Sequence, residues 1–297
     1  MIITLGSISL DTTRTPFRTA TEILGGSGSF FSLASSLFTE TGLIGIIGDD
    51  FPPEHRETLS QRTDLTGLET RKGKTFRFDS SFGYDLGART TNKTELNVFG
   101  EWNPKVPHQY RDEDYLYLGN VGPQQQLATL NQMDDPKLTV ADTIEYWIDN
   151  QREPLMEVIS RVKGMVLNDQ EVRQLCHTPN IITGAKKIME WGAEFVIVKK
   201  GEHGAILFTH DTIFPTCGYP LEQITDPTGA GDTFAGGFMG HIARRDKLDE
   251  QTFKEAIIYG NVMGSFTVER FGVERLTTLT MDDIEERYRQ YKEMVKF

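Results

Sequence analysis

The sequence predicts an α/β chain: a mainly parallel central sheet with helices on both faces, and a small β-sheet beside it. Three observations predict this. Short apolar runs that read as buried strands (TGLIGIIG, YLYLGNV, LTVADTI, GMVLN and FVIVKKG) alternate with stretches in helical spacing. Strands joined through helices build right-handed βαβ units, whose sheet is covered on both sides. From about Thr66 to Phe99 the period drops to two, in TFRFDSSFGYDLGARTTNKTELNVF with turn glycines Gly83 and Gly87, which is the pattern of exposed antiparallel structure. At 297 residues the chain is long enough for one large domain, or one large and one small.

Taken in order, MIITLGSISLD opens as a short strand that ends in small residues and Asp11. LGGSGSFFSLASSLF is a glycine-rich loop followed by helical spacing through Phe31, Ala34, Leu37 and Phe38, and TGLIGIIG is a buried strand. After the β segment at 66–99, strand YLYLGNV leads through helix PQQQLATLNQM to strand LTVADTI. Helix EPLMEVISRV, strand GMVLN, helices EVRQLC and ITGAKKIMEWG, and strand FVIVKKG come next. Three helices close the chain, at 230–245, 251–270 and 281–294. No internal repeat or low-complexity stretch interrupts it, so one domain over 1–297 is expected. Ligands of such sheets gather at the carboxyl ends of the strands, where Asp11, Asn120, Asp142, Asn168 and Gly201 fall.

Composition excludes several classes. The net charge is -12, from 43 acidic against 31 basic residues with no dense basic run, which argues against non-specific nucleic-acid binding. No apolar run reaches 18 residues, and the opening is too poor in apolar residues for a signal peptide, so no membrane partner and a cytoplasmic location are expected. Cys176 and Cys217 stand alone, outside any CxxC pair. GKT at 73–75 is no P-loop: the place five residues before Gly73 is Leu68, and the residues after Thr75 are strand-like where a P-loop opens a helix. GSGSFF at 26–31 and GAGDTF at 229–234 both end in Phe where a dinucleotide fingerprint needs its third glycine. There is neither a zincin histidine pair nor a GxSxG elbow.

The stretch that remains is DPTGAGDTFAGGF at 226–238. Gly229, Ala230 and Gly231 leave the backbone nearly bare, and Phe234, Ala235, Phe238, Met239 and Ile242 recur at helical steps. A bare backbone entering a helix offers unpaired N–H groups backed by the positive end of the helix dipole, a place for a phosphate. Asp232 beside it is a helix cap or a base.

This stretch resembles the C-terminal signature of the ribokinase-like (PfkB) carbohydrate kinase family. Four more segments resemble that family in its order: GSISLD with Asp11, LGGSGS with Gly25 and Gly26, NDQE at 168–171, and VIVKKGEHGA. Each has a plainer reading as a turn, a helix entry or a capping arrangement. The resemblance implies a three-layer ribokinase-like sandwich with a β-sheet lid, formed mainly by about 10–20 and 66–99, that closes over the substrate. It implies ATP and Mg²⁺ as cofactors, with K⁺ as an additional cation. The N–H groups of Gly229, Ala230 and Gly231 would hold the γ-phosphoryl group, and Asp232 would take the proton of the attacking hydroxyl. Asp11, Gly25, Gly26 and Ser29 would bind the acceptor. Asn168, Lys199, Gly201, Gly204 and Asn261 would line the nucleotide, and Glu171 would organise Mg²⁺ through water. Asp226 and the carbonyl of Thr228 match the place where many members bind a monovalent cation.

Two positions depart from the family. Phe30 stands where an asparagine usually bonds a sugar hydroxyl. It either shapes a less polar acceptor site, as for a nucleoside, or packs in the core. Lys199 stands where threonine is common, and either charges the phosphate site or is solvated. The lid aromatics Phe76, Phe78, Phe82 and Tyr84 either stack on a base or are ordinary strand residues. The expected activity is an ATP-dependent kinase acting on a hydroxymethyl group of a small sugar, with a nucleoside as the alternative acceptor. A catalytically silent binding module on the same scaffold, a nicotinamide-dependent oxidoreductase and a homodimer formed through the lid are the other readings the sequence leaves open.

Overall fold

The computed structural model describes residues 1–87 and 89–296. Strand β1 (Ile2–Leu5) is fully buried. The chain then breaks at Gly6–Ile8 and continues as β2 (Ser9–Arg14) and β3 (Thr19–Gly25). Helix α1 (Ser27–Ser35) and strand β4 (Thr41–Gly48) are buried along their whole length. Helix α2 (Pro53–Ser60) leads to β5 (Leu68–Arg71), β6 (Phe76–Phe82) and β7 (Arg89–Glu95).

The alternating half comes next: β8 (Tyr115–Leu118), α3 (Pro123–Leu130), β9 (Leu138–Asp142), α4 (Glu145–Asn150), α5 (Arg152–Arg161), β10 (Gly164–Asn168), α6 (Asp169–Cys176), α7 (Ile181–Glu190) and β11 (Phe195–Lys199). A hairpin, β12 (Ala205–Phe208) and β13 (Ile213–Thr216), precedes the closing helices α8 (Ala230–Arg245), α9 (Glu250–Thr267), α10 (Glu274–Thr278) and α11 (Met281–Met294).

Nine strands form the large sheet, in the order β13-β12-β11-β10-β9-β8-β1-β4-β5. Pairing is parallel from β5 to β11, and only β12 and β13 run antiparallel. Because strand side chains alternate, each strand feeds two cores. Leu116, Leu118, Val196 and Val198 pack with Leu155, Val172 and Ala185 of α5, α6 and α7. Tyr115, Tyr117, Val166 and Ile197 pack on the other side with Phe234 and Phe238 of α8 and Ala256 of α9. The expected α/β fold with a large, mostly parallel sheet is therefore present.

The smaller sheet has the order β3-β2-β6-β7, with β2 parallel to β6 and the other pairs antiparallel. Its composition corrects the sequence reading in three places. The opening run is two strands in two sheets, not one. Leu24 and Gly25, expected in the glycine-rich loop, end strand β3. Leu68–Arg71, expected in the lid, pairs parallel with β4 at the edge of the large sheet, so only Phe76 onward of the 66–99 segment belongs to the small one. A short half-polar strand carries the same alternation at either edge, and tertiary pairing decides its sheet.

The β12–β13 hairpin and α2 were not anticipated. Pro215 lies in β13, tolerated there because that strand is the sheet edge. At the C-terminus α9 stops at Thr267, before Gly272 at φ 53, and the short α10 precedes α11.

Candidate active site

The N-terminus of α8 is built by conformation before chemistry. Gly229 is its N-cap residue at φ 76, a left-handed backbone open to glycine at little cost, and no side chain caps the helix. A β-carbon on Gly229 would collide with the ring of Phe30, so that ring supports the loop from below. Phe30 is 1 % exposed and offers nothing to an acceptor; its place is the core. Of the three expected anion-binding N–H groups, that of Ala230 makes a long bond to the Pro227 carbonyl at 3.3 Å. Asp232 lies in the first turn, half-buried.

Lys199 ends β11 directly beside this loop. A β-carbon on Gly231 would sit 2.9 Å from its Nζ. The ammonium is 3.1 Å from Asp142 Oδ2 at the end of β9, and both side chains are largely buried. Asp142 Oδ1 accepts from the Thr143 N–H at 2.7 Å, and Oδ2 accepts from the Tyr117 hydroxyl at 3.3 Å. Lys199 is thus an ion-paired buried cation, not a solvated one. Burial works against its charge, but Asp142, Glu171 and Asp232 overrule it and hold it protonated.

Asn168 and Glu171 form a reciprocal cap on α6. The Asn168 N–H donates to Glu171 Oε2 at 2.7 Å, and the Glu171 N–H donates to Asn168 Oδ1 at 2.8 Å. Register sets Asn168 beside Lys199. Burial, then the charge of Asp142, pushes the Glu171 carboxyl well above its usual range. Burial and Asp142 likewise raise Asp232 to about 7, against the pull of Lys199. Three carboxylates around one ammonium leave surplus negative charge in a poorly solvated place. That donor set suits a hydrated divalent cation brought in by polyphosphate, which Glu171 and Asp142 would hold through water. Among the described residues no three-residue cluster could grip a metal directly.

Asp11 faces this group from β2. It is 4 % exposed, its Oδ1 has no hydrogen-bond partner among the described residues, and burial raises it to about 7. Asp226 and Asp232 each add to that rise, so the three carboxyls share one region. Gly25 lies flat against the Asp11 carboxylate, where any β-carbon would collide with it. Gly26 is the N-cap residue of α1, and Ser29 is fully buried inside that helix, its hydroxyl without a hydrogen-bond partner among the described residues.

On the third side, Gly201 begins a single 3-10 turn and Gly204 packs on the backbone of Thr216–Gly218. Asn261, buried on α9, donates to Thr216 Oγ1 at 2.8 Å and so fixes the end of β13. Asp226 is fully buried and holds two backbone N–H groups, of Thr228 at 2.9 Å and Gly272 at 3.3 Å. Burial raises its carboxyl, with only neutral donors beside it. A buried carboxylate bonded only by neutral donors suits a monovalent cation at its remaining lone pairs.

The structure thus brings Asp11, Lys199, Glu171, Asp226, Asp232 and the start of α8 to one end of the sheet. It withdraws Phe30 and Ser29 into the core and ties Asn261 into the frame. Asp142 and Tyr117 were given no role by sequence, although the position of Asp142 at a strand end was the available signal. Arg89, whose charge acts on both Asp11 and Asp232, left no signal in its polar strand.

A model of the pfkB family carbohydrate kinases matches residues 90–279. The cytidine kinase of Thermococcus kodakarensis is 28 % identical over 254 residues, covering 84 % of this chain and 91 % of that protein. Among solved structures, fructokinase from Vibrio cholerae bound to fructose, ADP and calcium ion superposes with a TM-score of 0.78 at 17 % identity, over 96 % of this chain and 98 % of that one. Aminoimidazole riboside kinase from Salmonella enterica, complexed with aminoimidazole riboside and an ATP analog, gives 0.76 at 17 % identity, over 97 % of this chain and 100 % of that one. The chain belongs to the pfkB carbohydrate kinase family, phosphotransferases that act on an alcohol group of a sugar or nucleoside.

Proposed function

We propose that this enzyme transfers the γ-phosphoryl group of ATP to the primary hydroxyl of a riboside, with Asp232 as base. The observation that carries the reading is the meeting of Asp232, Lys199 and an uncapped helix N-terminus at one point, with Asp11 facing them. Asp11 grips two hydroxyls of the acceptor, and the attacking oxygen comes to lie between Asp232 and the α8 N-terminus. As that oxygen bonds to phosphorus, the bond to the departing ADP breaks and the acceptor proton passes to Asp232. Lys199 and the N–H groups of the loop stabilise charge on the transferring group, and Asp142 holds the ammonium in place. When bound, Mg²⁺ would neutralise phosphate charge, and Glu171 and Asp142 would hold it through water. Asp226 and the Thr228 carbonyl would hold a monovalent cation behind the loop. Gly201, with open space where a side chain would stand, leaves room for the nucleotide, and Gly204 lets the turn pack on Thr216–Gly218 beside it. The small sheet serves as a lid that excludes water.

A riboside is favoured over a free sugar by the similarity of the cytidine kinase over most of both chains. A free sugar is the second reading, favoured by the fructose-bound neighbour of the same fold. The test is ADP release from Mg-ATP across pentoses, hexoses and nucleosides, with Asp232→Asn beside the wild type. Turnover with a nucleoside that vanishes in the variant supports the proposal, and turnover with hexoses alone replaces the acceptor. ATP binding without turnover on any acceptor overturns the catalytic assignment.

A further inference from the structure

Building on the riboside reading, we infer that Arg89 is a specificity-determining residue that reads a pair of adjacent hydrogen-bond acceptors on the nucleobase. Strand register places Arg89 on the acceptor-facing side of the small sheet. Asp11 pairs with Phe78 across β2 and β6, so both side chains leave the same face. Phe78 and Phe82 alternate onto that face of β6, and Phe82 pairs with Arg89 across β7. The Arg89 guanidinium lies 5.1 Å from the centroid of the Phe78 ring. It therefore folds back along the sheet toward Asp11, and its charge acts on both Asp11 and Asp232.

Between these ends the same face carries Thr13 and Ser80, which pair across β2 and β6. Both are 1 % exposed, and neither hydroxyl has a hydrogen-bond partner among the described residues. Asp11 Oδ1 is unpartnered as well. The lid thus carries a file of unmet polar groups from Asp11 outward, with a guanidinium folded back over the same face. The Arg89 backbone lies four register levels beyond Asp11, but its guanidinium over Phe78 has returned to the Asp11 level, one strand away. A ring attached to a sugar held at Asp11 therefore comes within reach of it.

The chemistry of the guanidinium narrows the ring. A guanidinium stacked on an aromatic ring is held flat and presents two parallel N–H donors in a fixed fork. Such a fork pairs with two neighbouring acceptors in one plane. Cytosine offers N3 and O2, while guanine and hypoxanthine offer O6 and N7. Uracil and adenine have no two adjacent acceptors on any edge outside the sugar. A small anionic acceptor is disfavoured, because Asp11, Asp226 and Asp232 already crowd the region with negative charge.

The experiment measures kcat/KM of the full-length enzyme for cytidine, guanosine, inosine, uridine and adenosine, in wild type, Arg89→Met and Arg89→Lys. The wild type is expected to prefer the first three over the last two by roughly tenfold or more. Arg89→Met is expected to erase that preference, mainly through KM, lowering cytidine, guanosine and inosine more than uridine and adenosine, and an unchanged melting temperature shows that the variant folds. Arg89→Lys keeps the charge without the fork and is expected not to restore the preference. If both variants lower all five nucleosides in proportion, Arg89 acts through charge alone and the inference fails while the riboside reading stands. Full restoration by lysine, or a wild type that favours uridine and adenosine, also overturns it. A wild type that turns over only free or anionic sugars overturns the inference and the riboside reading together.

Discussion

The Lys199 ammonium stands 3.1 Å from Asp142 Oδ2 and beside the bare backbone of Gly231. A side chain expected to be either a phosphate ligand or a solvated lysine is a buried cation, tethered by an acid two strands away, under the loop that would receive the phosphoryl group. Lys199→Met should therefore lower kcat by about 10²-fold or more, the scale of losing a charged transition-state donor. It also strands Asp142 in a buried place, which should cost about 3 kcal/mol of stability. Steady-state kinetics and thermal melting read the two losses separately, and unchanged kcat in a stable variant would remove Lys199 from the mechanism.

Asp232→Asn should cut kcat by about 10³-fold, within the range of general-base catalysis, and leave the nucleotide dissociation constant within a few-fold. Single-turnover kinetics beside calorimetric titration of ATP distinguishes the two. Loss of nucleotide binding equal to the loss of rate would make Asp232 a helix cap rather than a base.

The pH dependence rests on two carboxyls, Asp11 and Asp232, each raised from 3.8 to about 7. Only the ionised forms grip hydroxyls or accept a proton, so kcat/KM should rise with pH through about 7 and flatten above it. Stability runs the other way. In the unfolded chain both groups lose their protons near 3.8, whereas the fold keeps them to about 7. Their contribution to stability is complete below about pH 4 and is lost as pH rises through 7. The melting temperature of the ligand-free enzyme should fall between pH 5 and 8, and fall less in Asp232→Asn. A melting temperature that climbs over this interval in the wild type alone would refute the assignment.

The ring of Phe30 supports Gly229 instead of lining the acceptor site. Phe30→Ala should cost about 3–5 kcal/mol of stability. Phe30→Leu, which keeps the site filled, should lower kcat for every acceptor by a similar factor as the loop loosens. A change confined to one acceptor, read from the same substrate panel, would return Phe30 to the substrate site.

Much of this was legible in the chain. The helix beginning at Ala230, the Asn168–Glu171 pair and the acids at strand ends are local patterns, and local patterns are written in spacing. The split of MIITLGSISLD between two sheets is not local. Every residue in it suits a strand, and only the crossing of Gly6–Ile8 over the end of the large sheet decides that Asp11 belongs to the small one. The same holds for Leu68–Arg71, which needs β4 to assign it. Lys199 could not be placed because its partner lies fifty-seven residues earlier and meets it only through strand order. Arg89 sits in a strand of threonines and charges, and its inward direction depends on a bulge-shifted register that no spacing reveals.

Asp11 belongs to β2, an inner strand of the small sheet paired with both β3 and β6. On the proposed reading, the group that holds the acceptor is part of the moving door. An enzyme arranged this way has no rigid acceptor pocket to refine independently of closure. Each substitution that tightens the hold on a new acceptor also alters how fast the door swings. Changes of substrate in such a chain would arrive together with changes of turnover rate, so that lineages drift along a coupled path between selectivity and speed.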